Sequence, residues 1–212
     1  VGSEMCIRDS RFCDREHIPA YDETTGAGIL RHIYLRTTAA GEIMVCLVIN
    51  ADGLPGGRAA EARLVDCLLA EQPRTVSVLL NINRRNTNVV LGEQYRKLYG
   101  SGWIEDTLCG LRFRLSAGSF YQVNREGAEL LYETAARMAE VRGGESLWDL
   151  YCGAGTIGLS MLSPGRNARP AQVTGVEIVP EAVACAEQNA RLNAEAGRIP
   201  PDAAHFFCAD AG

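Results

Sequence analysis

"WDLYCGAGTIGLSM", residues 148–161, decides how the second half of the chain is read. It runs from a short apolar strand carrying an acid, Asp149, through a glycine cluster into the start of a helix. The spacing Gly153-x-Gly155-x-x-Gly158 matches a dinucleotide-binding fingerprint. Many strand-to-helix turns need glycine for close backbone approach, however, so the string alone does not name a ligand. Two neighbours weigh against a pyrophosphate. An acid sits inside the strand where a dinucleotide strand is usually apolar, and no basic residue lies between Tyr151 and Leu162 to meet phosphate.

Working outward, strands and helices alternate. Asn124 is placed to cap a helix to about Val141, with Ala128, Leu131, Ala135 and Met138 on one face. "SLWDLYC" follows as a strand, residues 155–162 as a helix start, and "QVTGVEIV" as a second strand. Pro180 opens a helix to about Asn193, since proline is tolerated in a first turn, and "AHFFCAD" is a third strand. This order is half of a doubly wound parallel sheet, whose ligand crevice lies at the carboxyl ends of the strands. Glu177 ends the second strand, where a carboxylate accepts hydrogen bonds from both hydroxyls of a ribose, whether in a nicotinamide dinucleotide or in S-adenosylmethionine. Asp210 ends the third, where its carboxylate could accept a hydrogen bond from an adenine amino group. Each acid alone reads equally well as a solvated strand end or a cap. Asp149, Glu177 and Asp210 at successive strands, each beside a turn, read as a binding rim.

Upstream of about residue 118 the pattern differs. The runs "ILRHIYLRTT", "EIMVCLVIN", "TVSVLLNIN", "NVVLG" and "LRFRL" are rich in β-branched residues and separated by Gly, Asn, Asp or Pro clusters, which predicts an antiparallel sheet. One helix over 60–70 follows the turn "GLPGG", with Leu64, Cys67 and Leu68 at helical spacing. Arg84 and Arg85 in a loop, with Arg112 and Arg114 alternating on a strand, suit either phosphate contact with a folded RNA or a solvated basic face.

Composition sets outer limits. The chain has 212 residues, 47% of them hydrophobic and 22% charged, as expected of a globular protein with a substantial core. A net charge of -5 argues against holding nucleic acid by bulk electrostatics, so any RNA contact is expected to be local. The eight cysteines are scattered and none forms a C-x-x-C pair, the pattern of free thiols in a reducing compartment. Cys6 and Cys13 alone do not make a metal site. No secretory leader or apolar run long enough to span a membrane is present, so a cytoplasmic location is expected. "VGSEMCIRDS" at the start lacks periodicity and is read as a non-native or disordered segment. "HFFCADAG" at the other end stops just after a strand, so the chain is expected to be a fragment whose "FFC" edge is an aggregation liability.

Four segments together carry a family resemblance: "NINRRNTNVVLG" (81–92), "SFYQVN" (119–124), "DLYCGAGTIGL" (149–159) and "GVEIVPEAV" (175–183). They resemble the RNA 5-methyluridine methyltransferases, specifically the branch acting on 23S ribosomal RNA, from about Ile18 to Asp210. The resemblance implies a partial class I methyltransferase parallel sheet, an α/β Rossmann-like fold, preceded by a small α+β domain with an antiparallel sheet. The expected division is a non-native or disordered 1–10, a central α+β domain over 11–117 with possible RNA contact, and the N-terminal half of the cofactor domain over 118–212. The implied cofactor is S-adenosyl-L-methionine. Gln122 would bond its methionine end, Tyr151 would line the pocket, Gly153 and Gly155 would admit close approach, Glu177 would hold the ribose and Asp210 the adenine. The residue at Cys152 packs in this family.

In the chemistry the resemblance implies, a cysteine thiolate adds to uracil C6, C5 takes the methyl group, and a base removes the C5 proton. The family carries that cysteine, an aspartate in a proline-rich loop and the base beyond the equivalent of Asp210. No catalytic residue and no metal site are therefore expected here. The expected partner is 23S ribosomal RNA, with neither membrane nor DNA. A transfer-RNA-specific relative, a non-catalytic RNA-binding module with a vestigial cofactor fold, and a nicotinamide oxidoreductase are the competing readings.

Overall fold

A computed structural model describes residues 12–86 and 88–212; the initial segment and Cys6 lie outside the described residues. The chain divides between Ile104 and Glu105 into two compact units.

Among the described residues, the first unit is built on a four-stranded sheet with a helix of four turns packed on it, preceded by a short helical stretch over 12–15. Its strands are β1 (Leu30–Thr37), β2 (Ile43–Ile49), β3 (Thr75–Ile82) and β4 (Gln94–Gly100), in that spatial order, and α1 (Gly57–Glu71) joins β2 to β3. The helical crossover makes the β2–β3 pair parallel, while β1–β2 and β3–β4 are antiparallel. The sheet is therefore mixed, and the expected antiparallel pairing holds at its two flanks only. β2, "IMVCLVI", is buried along its whole length. Its Ile43, Val45, Leu47 and Ile49 share one core with Leu64, Val65 and Leu68 of α1. A buried carboxylate fastens the same helix to the edge strand: Glu61 forms a two-pronged ion pair with Arg96 of β4, one bond measuring 2.7 Å.

"NVVLG" is not a strand. Asn81 accepts from Gly92 N–H at 2.6 Å and donates to its carbonyl at 2.8 Å, while Asn83 donates to the Val89 carbonyl at 2.8 Å. Both asparagines are buried, so their amides take up the backbone groups that a ladder would otherwise satisfy.

The division falls at the first residue of a hairpin, β5 (Ile104–Leu108) and β6 (Leu111–Leu115), turned at Cys109 and Gly110 with φ of +50° and +75°. "LRFRL" thus pairs with β5 rather than with the first sheet. Next come α2 (Arg125–Met138), β7 (Ser146–Leu150), α3 (Thr156–Met161), β8 (Gln172–Glu177), α4 (Pro180–Glu195) and β9 (Ala204–Cys208). Strands β7, β8 and β9 are consecutive parallel neighbours, as the strand–helix alternation predicts.

Asn124 caps α2 by accepting from Gly127 N–H at 2.9 Å. The helix buries Ala128 and Tyr132, leaving Leu131 and Met138 exposed. The buried stripe thus follows an i, i+4 step, and the Tyr132 hydroxyl meets Thr156 Oγ1 at 3.0 Å. β7 and β9 are the sheet edges among the described residues. Trp148 and Leu150 are exposed on β7, and Phe207 on β9, whereas Phe206 of "FFC" is buried.

Candidate functional site

The carboxyl ends of the three parallel strands meet at one rim. Register places Leu150 beside Val176 and Glu177 beside Cys208, so the residues that leave each strand emerge side by side. The turn after β7 is tied to β8 through Cys152 N–H on the Val176 carbonyl, 3.1 Å, and the turn after β9 through Ala209 N–H on the Glu177 carbonyl, 3.0 Å.

Glu177 is the hub. Its Oε2 accepts from Gly153 N–H at 3.1 Å and its Oε1 from Val179 N–H at 2.9 Å. The carboxylate therefore spans the glycine turn and the start of α4. Asp210 is exposed, and its Oδ1 accepts from Gly212 N–H at 3.1 Å. An ideal Cβ on Gly212 would lie 3.6 Å from the Tyr151 hydroxyl and 3.7 Å from Asp210 Oδ1, which puts Tyr151 and Asp210 at the same end of the rim. Tyr151 is 67% exposed and holds a left-handed φ of +63°, a conformation that costs a non-glycine residue about 1 kcal/mol. It is not a core aromatic.

The glycines have separate reasons. Gly153 has φ +55° and an added Cβ would meet nothing within 4 Å, so its outer side faces open space. A Cβ on Gly155 would sit 2.9 Å from Phe206 Cζ and 3.1 Å from Ala186 Cβ. Gly155 lets the turn close over the buried Phe206 ring, which also lies against Gly175. Gln122 is half-buried on the segment between β6 and α2, and its side chain has no hydrogen-bond partner among the described residues.

Asp149 has a part that spacing alone does not reveal. Gly155, at the cap position before helix α3, has no side chain to cap it, and the Asp149 carboxylate on β7 accepts from Gly158 N–H at 2.7 Å instead. Burial pushes the Asp149 carboxyl above its ordinary value, and the Gly158 bond pulls the other way. Burial, with Asp149 and Glu177 nearby, pushes the Cys152 thiol up to about 12. At neutral pH it stays protonated, as suits a packing residue.

The four arginines singled out in the sequence are all in ion pairs: Arg84 with Asp52, Arg85 with Glu93 at 2.8 Å, and both Arg112 and Arg114 with Glu105. No helix among the described residues is long and apolar enough to cross a membrane, and no group of three or more His, Cys, Asp or Glu among them is placed to hold a metal.

No protein-family model matches the chain. It is similar to curated proteins described as uncharacterized RNA methyltransferases. A Bacillus cereus protein is 38% identical over 184 residues, 86% of this chain and 38% of that protein. A Halalkalibacterium halodurans protein is 39% identical over 193 residues, 90% of this chain and 40% of its own length. A Listeria innocua protein is 41% identical over 174 residues, covering 82% and 36% respectively. The chain thus spans about two fifths of the curated relatives it matches. Among solved structures, the Pyrococcus abyssi tRNA (uracil-54, C5)-methyltransferase, crystallised with S-adenosyl-L-homocysteine, superposes with a TM-score of 0.73 at 23% identity. That match covers 98% of this chain and 46% of the other. The fold is therefore the α/β Rossmann-like fold of methyltransferases.

Proposed function

We propose that this chain is the cofactor-holding portion of an S-adenosylmethionine-dependent RNA methyltransferase that acts on uracil C5, with 23S ribosomal RNA as its substrate. The observation that carries the cofactor reading is the Asp149 carboxylate bound to the helix start after the glycine turn. A pyrophosphate site offers free N–H groups and positive charge at a helix start. Here the Asp149 carboxylate already takes the Gly158 N–H in the first turn of α3, and no cation lies between Tyr151 and Leu162. An acid at the helix start disfavours a diphosphate there and suits a cationic sulfonium and ammonium, while Glu177 serves the ribose in either case.

The residues fit the cofactor in kind. Glu177 is positioned to accept ribose hydroxyls in exchange for one of its backbone donors, and Asp210 to accept from the adenine amino group. Gln122 has a free amide for the methionine end. The open side of Gly153 and the exposed ring of Tyr151 would flank the bound molecule. S-adenosylmethionine, when bound, supplies the electrophilic methyl group. Cys152 supplies no nucleophile, being buried and protonated.

Uracil C5 and 23S RNA rest on the four motif segments, and the similar proteins described as RNA methyltransferases support an RNA substrate. The tRNA-specific reading is favoured by one observation, the overlay on a tRNA uracil-C5 methyltransferase. Calorimetry of the chain with S-adenosylhomocysteine and with NAD tests the cofactor: binding of NAD alone would overturn it. Transfer of labelled methyl groups by the complete protein to purified 23S RNA or tRNA, followed by nucleoside analysis, separates the substrates.

A further inference from the structure

Helix α4 carries two asparagines, Asn189 and Asn193, one turn apart and both fully buried. Asparagine inside a helix is a weak helix former, so two buried copies on one face need a tertiary reason. The reason is the open edge of β6. Asn193 accepts from Arg112 N–H at 2.9 Å and donates to the Arg112 carbonyl at 2.7 Å, pairing with the strand as another strand's backbone would. Asn189 also takes a strand donor, accepting from Arg114 N–H at 2.7 Å, but its Nδ2 turns away and donates to the Ala154 carbonyl at 3.2 Å. Ala154 lies between Gly153 and Gly155. A single buried amide therefore joins β6, the strand that leads into the segment holding Gln122, to the peptide at the centre of the glycine turn.

We propose that Asn189 is a positioning residue for the cofactor: its side-chain amide fixes the carbonyl of Ala154 against the backbone of Arg114, and so sets the glycine turn relative to the strand that delivers Gln122. This rests on the cofactor reading above. The turn needs such a brace. Gly153 and Gly155 both hold left-handed φ values, which two glycines leave easily, and the Ala154 residue between them is buried. Asn193 is the internal control, because it makes the same kind of strand contact without reaching the turn.

The test compares Asn189→Asp, Asn189→Ala and Asn193→Ala by S-adenosylhomocysteine calorimetry, thermal unfolding and amide hydrogen exchange. Asn189→Asp keeps the acceptor for Arg114 but turns an oxygen onto the Ala154 carbonyl. It and Asn189→Ala should weaken binding about tenfold, the scale of one buried hydrogen bond, and speed exchange in peptides covering 152–159. Asn193→Ala should lower the melting temperature while leaving affinity and turn exchange near wild type. Equal losses of affinity in Asn193→Ala and Asn189→Ala would reduce Asn189 to a general packing role and overturn the proposal. So would Asn189 variants that bind within twofold of wild type. If the unaltered protein binds no S-adenosylhomocysteine, the cofactor reading falls, and the positioning role falls with it; unaltered binding with unaltered variants sinks the positioning role alone.

Discussion

Asp149 Oδ2 lies 2.7 Å from the Gly158 amide nitrogen, a strand carboxylate serving as the cap of the helix that follows it. Glycine at the helix start leaves that donor without a local partner, and the strand acid supplies one from outside the turn. Asp149→Ala should therefore strand a buried N–H and cost about 1–3 kcal/mol in denaturant unfolding. Asp149→Asn keeps an acceptor and should cost less; equal costs would mean that the bond does not matter.

Asp149 and Glu61 should give the two units opposite responses to acid. Burial holds the folded Asp149 carboxyl above its unfolded value, so the folded state binds that proton more tightly. Its contribution to stability is complete below about pH 4, the unfolded value, and declines as pH rises through the folded value. For Glu61 the hydrogen bond from Arg96 holds the carboxyl below its ordinary value. Its contribution is present above about pH 4.3 and is lost as pH falls through the folded value. Asp149→Asn and Glu61→Gln should each remove one of these slopes from the pH dependence of thermal unfolding, with opposite sign. Slopes of the same sign would contradict the assignment.

Gly155 and Gly153 look alike in the motif but should behave differently. Gly155→Ala forces a Cβ against Phe206 and Ala186 at φ +76°, and should destabilise by about 2–4 kcal/mol. Gly153→Ala meets open space and should cost only about 1 kcal/mol for its backbone conformation, while obstructing the side on which the cofactor is proposed to lie. Melting temperature and S-adenosylhomocysteine affinity, measured on both variants, should move in opposite order. A folded Gly155→Ala protein with an unchanged melting temperature would refute the packing argument.

Much of the second unit was legible because its signals are local. Asn124 before a helix, Pro180 in a first turn and glycines after an apolar strand each act within a few residues, and the parallel order of β7, β8 and β9 follows from the helices between them. The strand ends that bring Glu177 and Asp210 to one rim came with that alternation. What was not legible depends on partners distant in sequence. β4, "QYRKLYG", is an exposed edge with no apolar run to announce it. "NVVLG" looks like a strand because it is β-branched, yet Asn81 and Asn83 hold it as a loop. β2 and β3 read as antiparallel because the helix between them did not by itself specify a crossover. Asn189 and Asn193 are ordinary polar letters until β6 lies beside them.

Glu177→Ala should weaken S-adenosylhomocysteine binding by about 1.5–3 kcal/mol, the scale for losing a charged hydrogen-bonding partner. It also frees the Gly153 and Val179 N–H groups, so part of the loss would come from a looser turn. Glu177→Gln separates the contributions: it keeps one acceptor oxygen but replaces the other with an NH2 donor, so the two-oxygen grip on a ribose diol is lost. Affinity intermediate between glutamate and alanine is expected for Glu177→Gln, and unchanged affinity in both variants would reject the ribose role.

Arg84 and Arg85 form exposed ion pairs with Asp52 and Glu93, and such pairs contribute about 0–1 kcal/mol to stability. Replacing both by alanine should therefore leave the melting temperature nearly unchanged. A phosphate can still draw them away from these weak partners, because releasing counterions from RNA favours any arginine that is not held by burial. If the loop between β3 and β4 meets RNA, reversing both charges in the complete protein should lower RNA affinity and flatten its dependence on salt. Identical affinity and salt slope would show that Asp52 and Glu93 are the functional partners of these arginines, and that the loop is a solvated surface.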